Sequence, residues 1–594
     1  MQRRLLLLMP RAAVMSEPSP QASPAERAAQ AALDSMFTCI RERRDFRLEA
    51  GAGAGKTYSL VKALRFVIDE QATALKRSGQ RVACITYTNV ASDQITNQID
   101  RHPVVHSSTI HAFCWALISS FQPFLRENLP ALPKWQERLD GIGGIGNRRV
   151  DYDLGHPRAR PEDSWVFLGH NDVLALAVAL MEEKKFRDVL ASRFPVLFID
   201  EYQDTNSSFA NSLMNHFIEP GTGPLIGLFG DSWQKIYGDG CGLIDHENLS
   251  VIGKEANFRS VPVIVDVLNR LRPDLPQHVK DPAATGTVGV YHTNDWTGTR
   301  RKGGSWAGDL PAEDAHAALG AVRELLHNEG WDFDPGTTKI LMLTHSVLAA
   351  EQKYAGIAAA FRYNDAFAKK ESPHVAFLVD VVEPVCAAYR DGRYGKMLAV
   401  LGTRSLAIRS QADKKERAAG LDRLLEICEG GTIGQVVDYL KEKGCPPLPE
   451  AVEETETELS QASAEEIDES RTLQEVGKLR DVPYREVGQL AQYLNEHTPF
   501  STKHGVKGAQ FENVLVVFGR GWNQYNWNQF LEWSGNGVPG DKAATYERNR
   551  NLFYVACSRP KRRLALLFTQ ELSPSALETL ARWFGEQAVR SLAF

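Results

Sequence analysis

The chain lacks several features that would have classified it quickly. Its eight cysteines, at 39, 84, 114, 241, 386, 428, 445 and 557, include no C-x-x-C pair and no cysteine/histidine ligand spacing. That speaks against zinc or iron–sulfur centres and suits reduced thiols in a cytoplasm. No apolar run approaches the ~18 residues of a membrane span, and the short stretch from Leu5 to Met9 is stopped by Pro10-Arg11, too soon for a secretion signal. A positive excess is also missing. The net charge is −6, so any nucleic-acid site must be a local basic surface rather than a global attraction. No fixed-period repeat is present, and 594 residues exceed what one core organises, so several domains are expected. Residues 1 to about 25 read as a disordered tail, or as an upstream start with Met15 the more natural beginning.

What is present centres on Ala50-Gly51-Ala52-Gly53-Ala54-Gly55-Lys56-Thr57. Before it, Phe46-Arg47-Leu48-Glu49-Ala50 alternates apolar and polar as a short strand does; after it, Leu60, Val61, Leu64, Val67 and Ile68 recur at helical spacing. In a strand, glycine loop and helix of this kind, backbone N–H groups and the helix N-terminus cradle polyphosphate oxygens. Lys56 is then placed for the β- and γ-phosphates of ATP and Thr57 for Mg²⁺. Ala50 stands where the usual pattern has its first glycine, and the alternative is a plain glycine-rich turn before a helix.

A phosphate loop needs a carboxylate on a neighbouring strand, and Val196-Leu197-Phe198-Ile199-Asp200-Glu201 supplies it after four apolar residues. Asp200 is the expected Mg²⁺ ligand; Glu201 is the expected group to orient and deprotonate the attacking water. Further apolar runs at 82–86 and 225–230 complete a parallel α/β block. A second α/β block starts near Phe258, with strands expected at 339–344, 514–518 and 564–568. Weaker periodicity at 121–160 and a mostly helical pattern through 363–485 mark two insertions, and the acidic run 450–469 reads as a solvated linker.

Asp200-Glu201-Tyr202-Gln203-Asp204-Thr205-Asn206 resembles motif II of the UvrD/Rep-like superfamily I helicases, and the loop resembles that family's motif I. Ile85-Thr86-Tyr87-Thr88-Asn89 is similar to motif Ia, and Ser108-Thr109-Ile110-His111-Ala112-Phe113-Cys114 to motif Ib. Gly230-Asp231-Ser232-Trp233-Gln234-Lys235-Ile236-Tyr237 resembles motif III and Asn257-Phe258-Arg259-Ser260 motif IV. Thr502-Lys503-His504-Gly505-Val506-Lys507-Gly508-Ala509-Gln510-Phe511 is similar to motif V, and Leu552-Phe553-Tyr554-Val555-Ala556-Cys557-Ser558-Arg559 to motif VI.

The resemblance implies an α/β protein with two RecA-like parallel-sheet P-loop domains, each carrying an inserted, mainly helical subdomain. The first domain is expected over 26–120 and 161–257 with its insertion at 121–160, the second over 258–362 and 486–594 with its insertion at 363–485. ATP is expected between the domains. Lys56, Glu201, Gln234, Arg259 and Arg559 take the catalytic roles by resemblance; each arginine has a surface salt bridge as its alternative. Tyr58 and Phe258 match the pair that grips adenine, although the family usually has arginine at the first position, and either could be a core aromatic. Gln30 is a loose candidate for reading the adenine edge. Gln510 stands where a glutamate usually contacts the nucleotide. Single-stranded DNA is expected on Tyr87, Asn89, His111, Thr502 and His504, the two histidines having hydrogen-bonded fold roles as the alternative.

The expected activity is an ATP-dependent single-stranded-DNA translocase and helicase moving 3′ to 5′, acting on tailed or forked duplexes, with no membrane partner. Three departures weaken the match: Gly238-Asp239-Gly240 where the family has a stacking tryptophan, Gln510, and Glu547-Arg548-Asn549-Arg550-Asn551 before motif VI. The insertions are also short, and no fused nuclease is expected after Arg559. Compact chains of this kind resemble the helicase components of two-gene anti-phage systems such as Gabija, in which a separate OLD-family nuclease is the partner. A nucleotide- and DNA-sensing subunit that switches such a nuclease is the competing reading, and ordinary DNA repair stands beside defence.

Overall fold

The computed structural model describes residues 22–594 apart from 154–156, 162, 236–237, 343–344, 364, 403–409, 496–497, 502–509 and 521–524. The chain forms two compact units. One takes the residues up to Thr287 together with Arg550–Ser558; the other takes Val288–Asn549 and Arg559–Phe594.

In the first unit six strands make one parallel sheet, in the spatial order Val105–Thr109, Val82–Thr86, Val196–Asp200, Leu225–Gly230, Phe46–Ala50, Ser250–Lys254. Parallel strands covered on both faces read as continuous apolar runs, and every residue of Val82–Thr86 and Val196–Asp200 is buried. The two edge strands, Val105–Thr109 and Ser250–Lys254, are partly exposed and lack such a run, which is why the sequence pattern does not announce them. Phe46–Ala50 departs from its alternating pattern: all five residues are buried, Arg47 and Glu49 included, because charged partners meet them inside.

The 121–160 region holds the helices Gln122–Asn128 and Trp135–Asp140 and contributes to a three-stranded sheet of Arg149–Tyr152, Trp165–Leu168 and Arg158–Ala159. It has no core of its own. Leu125, Leu129, Trp135 and Val150 join the same apolar cluster as Leu197 and Ile199 of the main sheet.

The second unit has a six-stranded sheet ordered Phe500–Ser501, Thr338–Met342, Phe511–Phe518, Pro560–Phe568, Thr287–His292, Val589–Ser591. Numbered along the chain within each sheet, both units show the same order: third, second, fourth, fifth, first, sixth. The chain is therefore built on two RecA-like α/β sheets. The strands expected at 514–518 and 564–568 begin earlier, at Phe511 and Pro560: Phe511 pairs with Pro560 and Asn513 with Arg563, and the register shifts between them at Glu512, where charged residues interrupt the apolar pattern.

A helical subdomain enters the second unit after Met342. Its core includes Val379, Val382, Leu424, Val436, Leu440 and Leu490, and draws in Tyr354 upstream and Ala491 downstream. Ile433, Val436, Val437 and Leu440 form the buried stripe of the helix Ile433–Lys443, which starts on a Thr432 capping box.

The acidic run 450–469 is not a linker. It forms the helices Glu450–Gln461 and Ala464–Glu469, the second capped by Ser463. Val452 is fully buried, and Glu456 is only 5% exposed. Glu456 accepts a hydrogen bond from His374 Nε2 at 2.9 Å and pairs with Arg480, which also holds Asp438 at 2.8 Å. Burial would raise the Glu456 carboxyl, but His374 and Arg480 bring it below its ordinary value. A run that looks solvated by composition is thus anchored by one buried, doubly paired carboxylate. Amides of 450–461 are expected to be protected in hydrogen exchange. Glu456→Ala, which leaves Arg480 and His374 without that partner, is expected to destabilise the subdomain by about 3 kcal/mol and to abolish the protection; unprotected wild-type amides there would contradict this packing.

Candidate nucleotide-binding site

The loop 51–55 leaves the C-terminal end of Phe46–Ala50 and feeds the 22-residue helix Lys56–Arg77. Gly53 and Gly55 have φ of 78° and 76°, the left-handed region that glycine enters at no steric cost. No acidic residue lies in the first helical turn, so the positive end of the helix is left for an anion.

The loop backbone is held from several sides within the first unit. Asn257 Nδ2 and Gln277 Nε2 donate to the Ala52 carbonyl at 3.2 and 3.1 Å, the Phe258 N–H donates to the Gly53 carbonyl at 2.9 Å, and the Ala52 N–H donates to the Tyr554 hydroxyl at 3.3 Å. None of Asn257, Gln277 or Tyr554 is marked by the phosphate-loop pattern. Tyr554 belongs to the stretch similar to motif VI, and its segment 550–558 groups with the first unit.

Asp200 ends its strand at the same edge of the sheet and is buried. Glu201 follows in the left-handed conformation, φ 49° and ψ 47°, a strain of about 1–2 kcal/mol for a residue with a side chain. Gln203 Nε2 holds the Glu201 carboxylate at 2.7 Å, and Lys56 Nζ lies 3.7 Å from Glu201 Oε2. The loop lysine and the carboxylate that follows the strand Val196–Asp200 therefore share one place. Gly230 makes the turn possible: a Cβ there would fall 2.3 Å from Gln203 Oε1 and 2.4 Å from the Tyr202 ring. Gln234 is buried in the turn Ser232–Gln234 and donates to Asp231 Oδ2 at 2.6 Å.

Behind the loop lies a charged cluster that sequence reasoning does not find. Glu49 accepts from the Tyr202 hydroxyl at 2.7 Å, from the Ser232 N–H at 2.8 Å, from the Ser232 hydroxyl at 2.7 Å and from Arg272 at 2.9 Å. Arg272 also pairs with Asp231, and its guanidinium lies over the rings of Trp233 and Tyr554 at 5.1 and 5.8 Å. Burial would raise the Glu49 carboxyl; Arg272 and Ser232 together bring it below its ordinary value.

Tyr58 and Phe258 are not core aromatics: they are 56% and 39% exposed. Arg259 donates through Nη1 to the Ser558 carbonyl at 2.8 Å, and its Cβ lies against Gly53. Burial pulls its guanidinium below the ordinary value. Gln30, on the helix Pro24–Arg41, donates to Asp34 at 2.8 Å. Tyr87 and Asn89 follow the strand Val82–Thr86, both exposed. His111 lies one residue into the helix Ile110–Ile118, its ring 4.6 Å from that of His170. Burial, aided by His170, lowers its pKa to about 4, so it is neutral near pH 7 and offers a ring or a hydrogen bond rather than a charge. Arg559, buried, and Gln510, exposed, belong to the second unit. Thr502 and His504 lie outside the described residues.

The donor set suits Mg²⁺. The Thr57 hydroxyl and Asp200 carboxylate are hard oxygen ligands, and among the described residues no group of three His, Cys, Asp or Glu side chains would hold a metal unaided. Mg²⁺ here would lean on nucleotide oxygens, as it commonly does.

Arg272→Met takes the nearer of its two cations from buried Glu49, leaving Arg47 at 3.6 Å, and leaves Asp231 without that guanidinium; it is expected to cost the first unit about 3 kcal/mol near pH 7. In the wild type the depressed Glu49 carboxyl contributes stability that is present above about pH 4.5 and lost as pH falls through its folded value. In the variant, burial is opposed only by the Ser232 and Tyr202 hydrogen bonds and by Arg47, so that carboxyl lies higher than in the wild type and the difference in melting temperature between the two proteins should shrink as pH is lowered towards 5.

Comparison with known proteins agrees with this geometry. The family described as "AAA domain" matches residues 35–239. The chain is 22% identical to Gabija protein GajB from Bacillus cereus (strain HuB5-5), over 94% of this chain and 97% of that protein. It is 23% identical to the ATP-dependent DNA helicase PcrA of Staphylococcus aureus, over 37% of each chain. With the phosphate loop, the two carboxylates and two sheets of one strand order in place, the chain resembles the UvrD/Rep-like superfamily I DNA helicases and is an ATP-hydrolysing enzyme.

Proposed function

We propose that the protein is a DNA-stimulated motor that spends ATP to move 3′ to 5′ along single-stranded DNA and to open tailed or forked duplexes, in anti-phage defence or repair. The observation that carries this reading is the convergence of Lys56 and Glu201, 3.7 Å apart, at the end of a loop shaped for polyphosphate. Loop N–H groups and Lys56 bind the β- and γ-phosphates, and Gln234 senses the γ-phosphate through the turn that Asp231 anchors. Glu201, held by Gln203, takes the proton of the attacking water. Arg259, and by resemblance Arg559, meet charge that develops during phosphoryl transfer. Thr57 and Asp200 would hold Mg²⁺, which when bound neutralises phosphate charge. Tyr58 and Phe258 offer open rings to the base. Tyr87, Asn89 and His111 follow the C-terminal ends of neighbouring parallel strands and are the proposed DNA contacts, joined by Thr502 and His504.

A second reading has one observation in its favour: similarity to a Gabija protein runs through nearly the whole of both chains. In it, hydrolysis switches a separate partner nuclease of OLD-family type, and strand separation by the isolated chain is weak.

Steady-state ATP hydrolysis with and without single-stranded oligonucleotide tests the motor. Large stimulation is expected, with Lys56→Ala and Glu201→Gln each lowering turnover by about 10²–10⁴-fold. Turnover indifferent to DNA in the wild type sinks the motor reading; DNA-stimulated turnover without unwinding of a tailed duplex favours the switch.

A further inference from the structure

Lys254 ends the edge strand Ser250–Lys254, in register with Ala50 at the start of the loop, and is 1% exposed. Its Nζ donates to the Gly55 carbonyl at 3.0 Å and to the Ser59 hydroxyl at 2.7 Å. The same nitrogen lies 5.7 Å from the centre of the Tyr58 ring and 6.0 Å from that of Phe258. An ammonium has three N–H groups, and the two protein acceptors use two of them. Among the described residues no carboxylate pairs with it. A buried cation without a counter-charge is costly, and here it sits at the end of a loop built to receive an anion.

We infer that Lys254 is a second cationic residue of the nucleotide site, a positioning residue that floors the slot between Tyr58 and Phe258, pins the first turn of the phosphate-binding helix, and is charge-balanced by the bound nucleotide. The inference rests on the ATP-binding reading of this site. Nothing in the phosphate-loop pattern marks residue 254, because it arrives from an edge strand some 200 residues downstream.

The titration behaviour follows from the same geometry. Charged residues on the packed elements are Lys56, Lys62, Arg65, Asp69, Glu70, Lys76 and Arg77 of the helix, Arg47 and Glu49 of the neighbouring strand, Glu26, Arg27, Asp34 and Arg41 of the first helix, and Glu255 and Arg259 beside it in the chain. Burial rather than any of these moves the ammonium, bringing its pKa down to about 8. A nearby polyphosphate favours the protonated form. Nucleotide affinity is therefore full below about pH 8 and falls as pH rises past it, by at most about tenfold per pH unit for one linked proton. A lysine with a purely structural role behaves differently, since the neutral amine still donates to Gly55 and Ser59 and affinity stays flat.

The test is a titration of the full-length protein with a fluorescent ATP analogue and Mg²⁺ from about pH 7 to about pH 9.5, on wild type, Lys254→Met and Lys254→Arg, with melting temperatures alongside. Wild-type affinity should fall roughly tenfold or more across that range. Lys254→Met should bind roughly tenfold more weakly at pH 7 and show no such fall; Lys254→Arg, charged throughout, should bind well with a flat profile. Equal binding by wild type and Lys254→Met at pH 7, or parallel pH profiles for wild type and Lys254→Arg, overturns the inference even if Lys254→Met fails to fold. A wild type that binds no nucleotide at any pH overturns the ATP-binding reading itself.

Discussion

The interaction on which the first unit depends is the buried pairing of Arg272 with Glu49 and Asp231. It ties together three stretches of chain that must keep register: the strand leading into the phosphate loop, the turn after Asp200 through Tyr202, and the turn carrying Gln234 through Ser232 and Asp231. One guanidinium faces two carboxylates, and two aromatic rings, of Trp233 and Tyr554, lie beneath it. Such a cluster is costly to desolvate and more costly to break, which favours conformational precision over raw stability. Gln234 contacts that frame directly through Asp231, and Lys56 and Glu201 meet each other beside it.

The site is also strained where chemistry is expected. Glu201 occupies the left-handed region, and Gln203 and the bare backbone of Gly230 hold it there. The loop is braced in the same spirit: Asn257, Gln277 and Tyr554 hold the backbone carbonyl and N–H of Ala52. Lys254 extends this bracing to the Gly55 carbonyl and the Ser59 hydroxyl at the start of the helix.

The two units use one topology for different ends. Both sheets run third, second, fourth, fifth, first, sixth, yet only the first carries a glycine phosphate loop after its first strand; in the second, that strand leads into a longer segment before the helix Ala312–Asn328. The large helical insertion enters after the second strand of the second sheet, where the first sheet has only the helix Asn89–Gln98. An insertion at a strand's C-terminal end leaves the sheet pairing undisturbed, because the following strands rejoin in the same order.

Much of this was legible in the chain alone. Central strands buried on both faces must be apolar throughout, so Val82–Thr86, Val196–Asp200 and Leu225–Gly230 declare themselves. The loop glycines and the Asp-Glu pair do so too, because phosphate chemistry demands those residue types at those spacings. Other features were decided only by the tertiary structure. Edge strands are half polar and carry no periodic signature. The run 450–469 reads as solvent-loving until Val452 finds a core and Glu456 finds His374 and Arg480, partners that the local sequence does not announce. Glu49, Arg272 and Lys254 read as surface charges, since local sequence reports what a side chain is and only long-range packing reports whether water or a counter-charge will meet it.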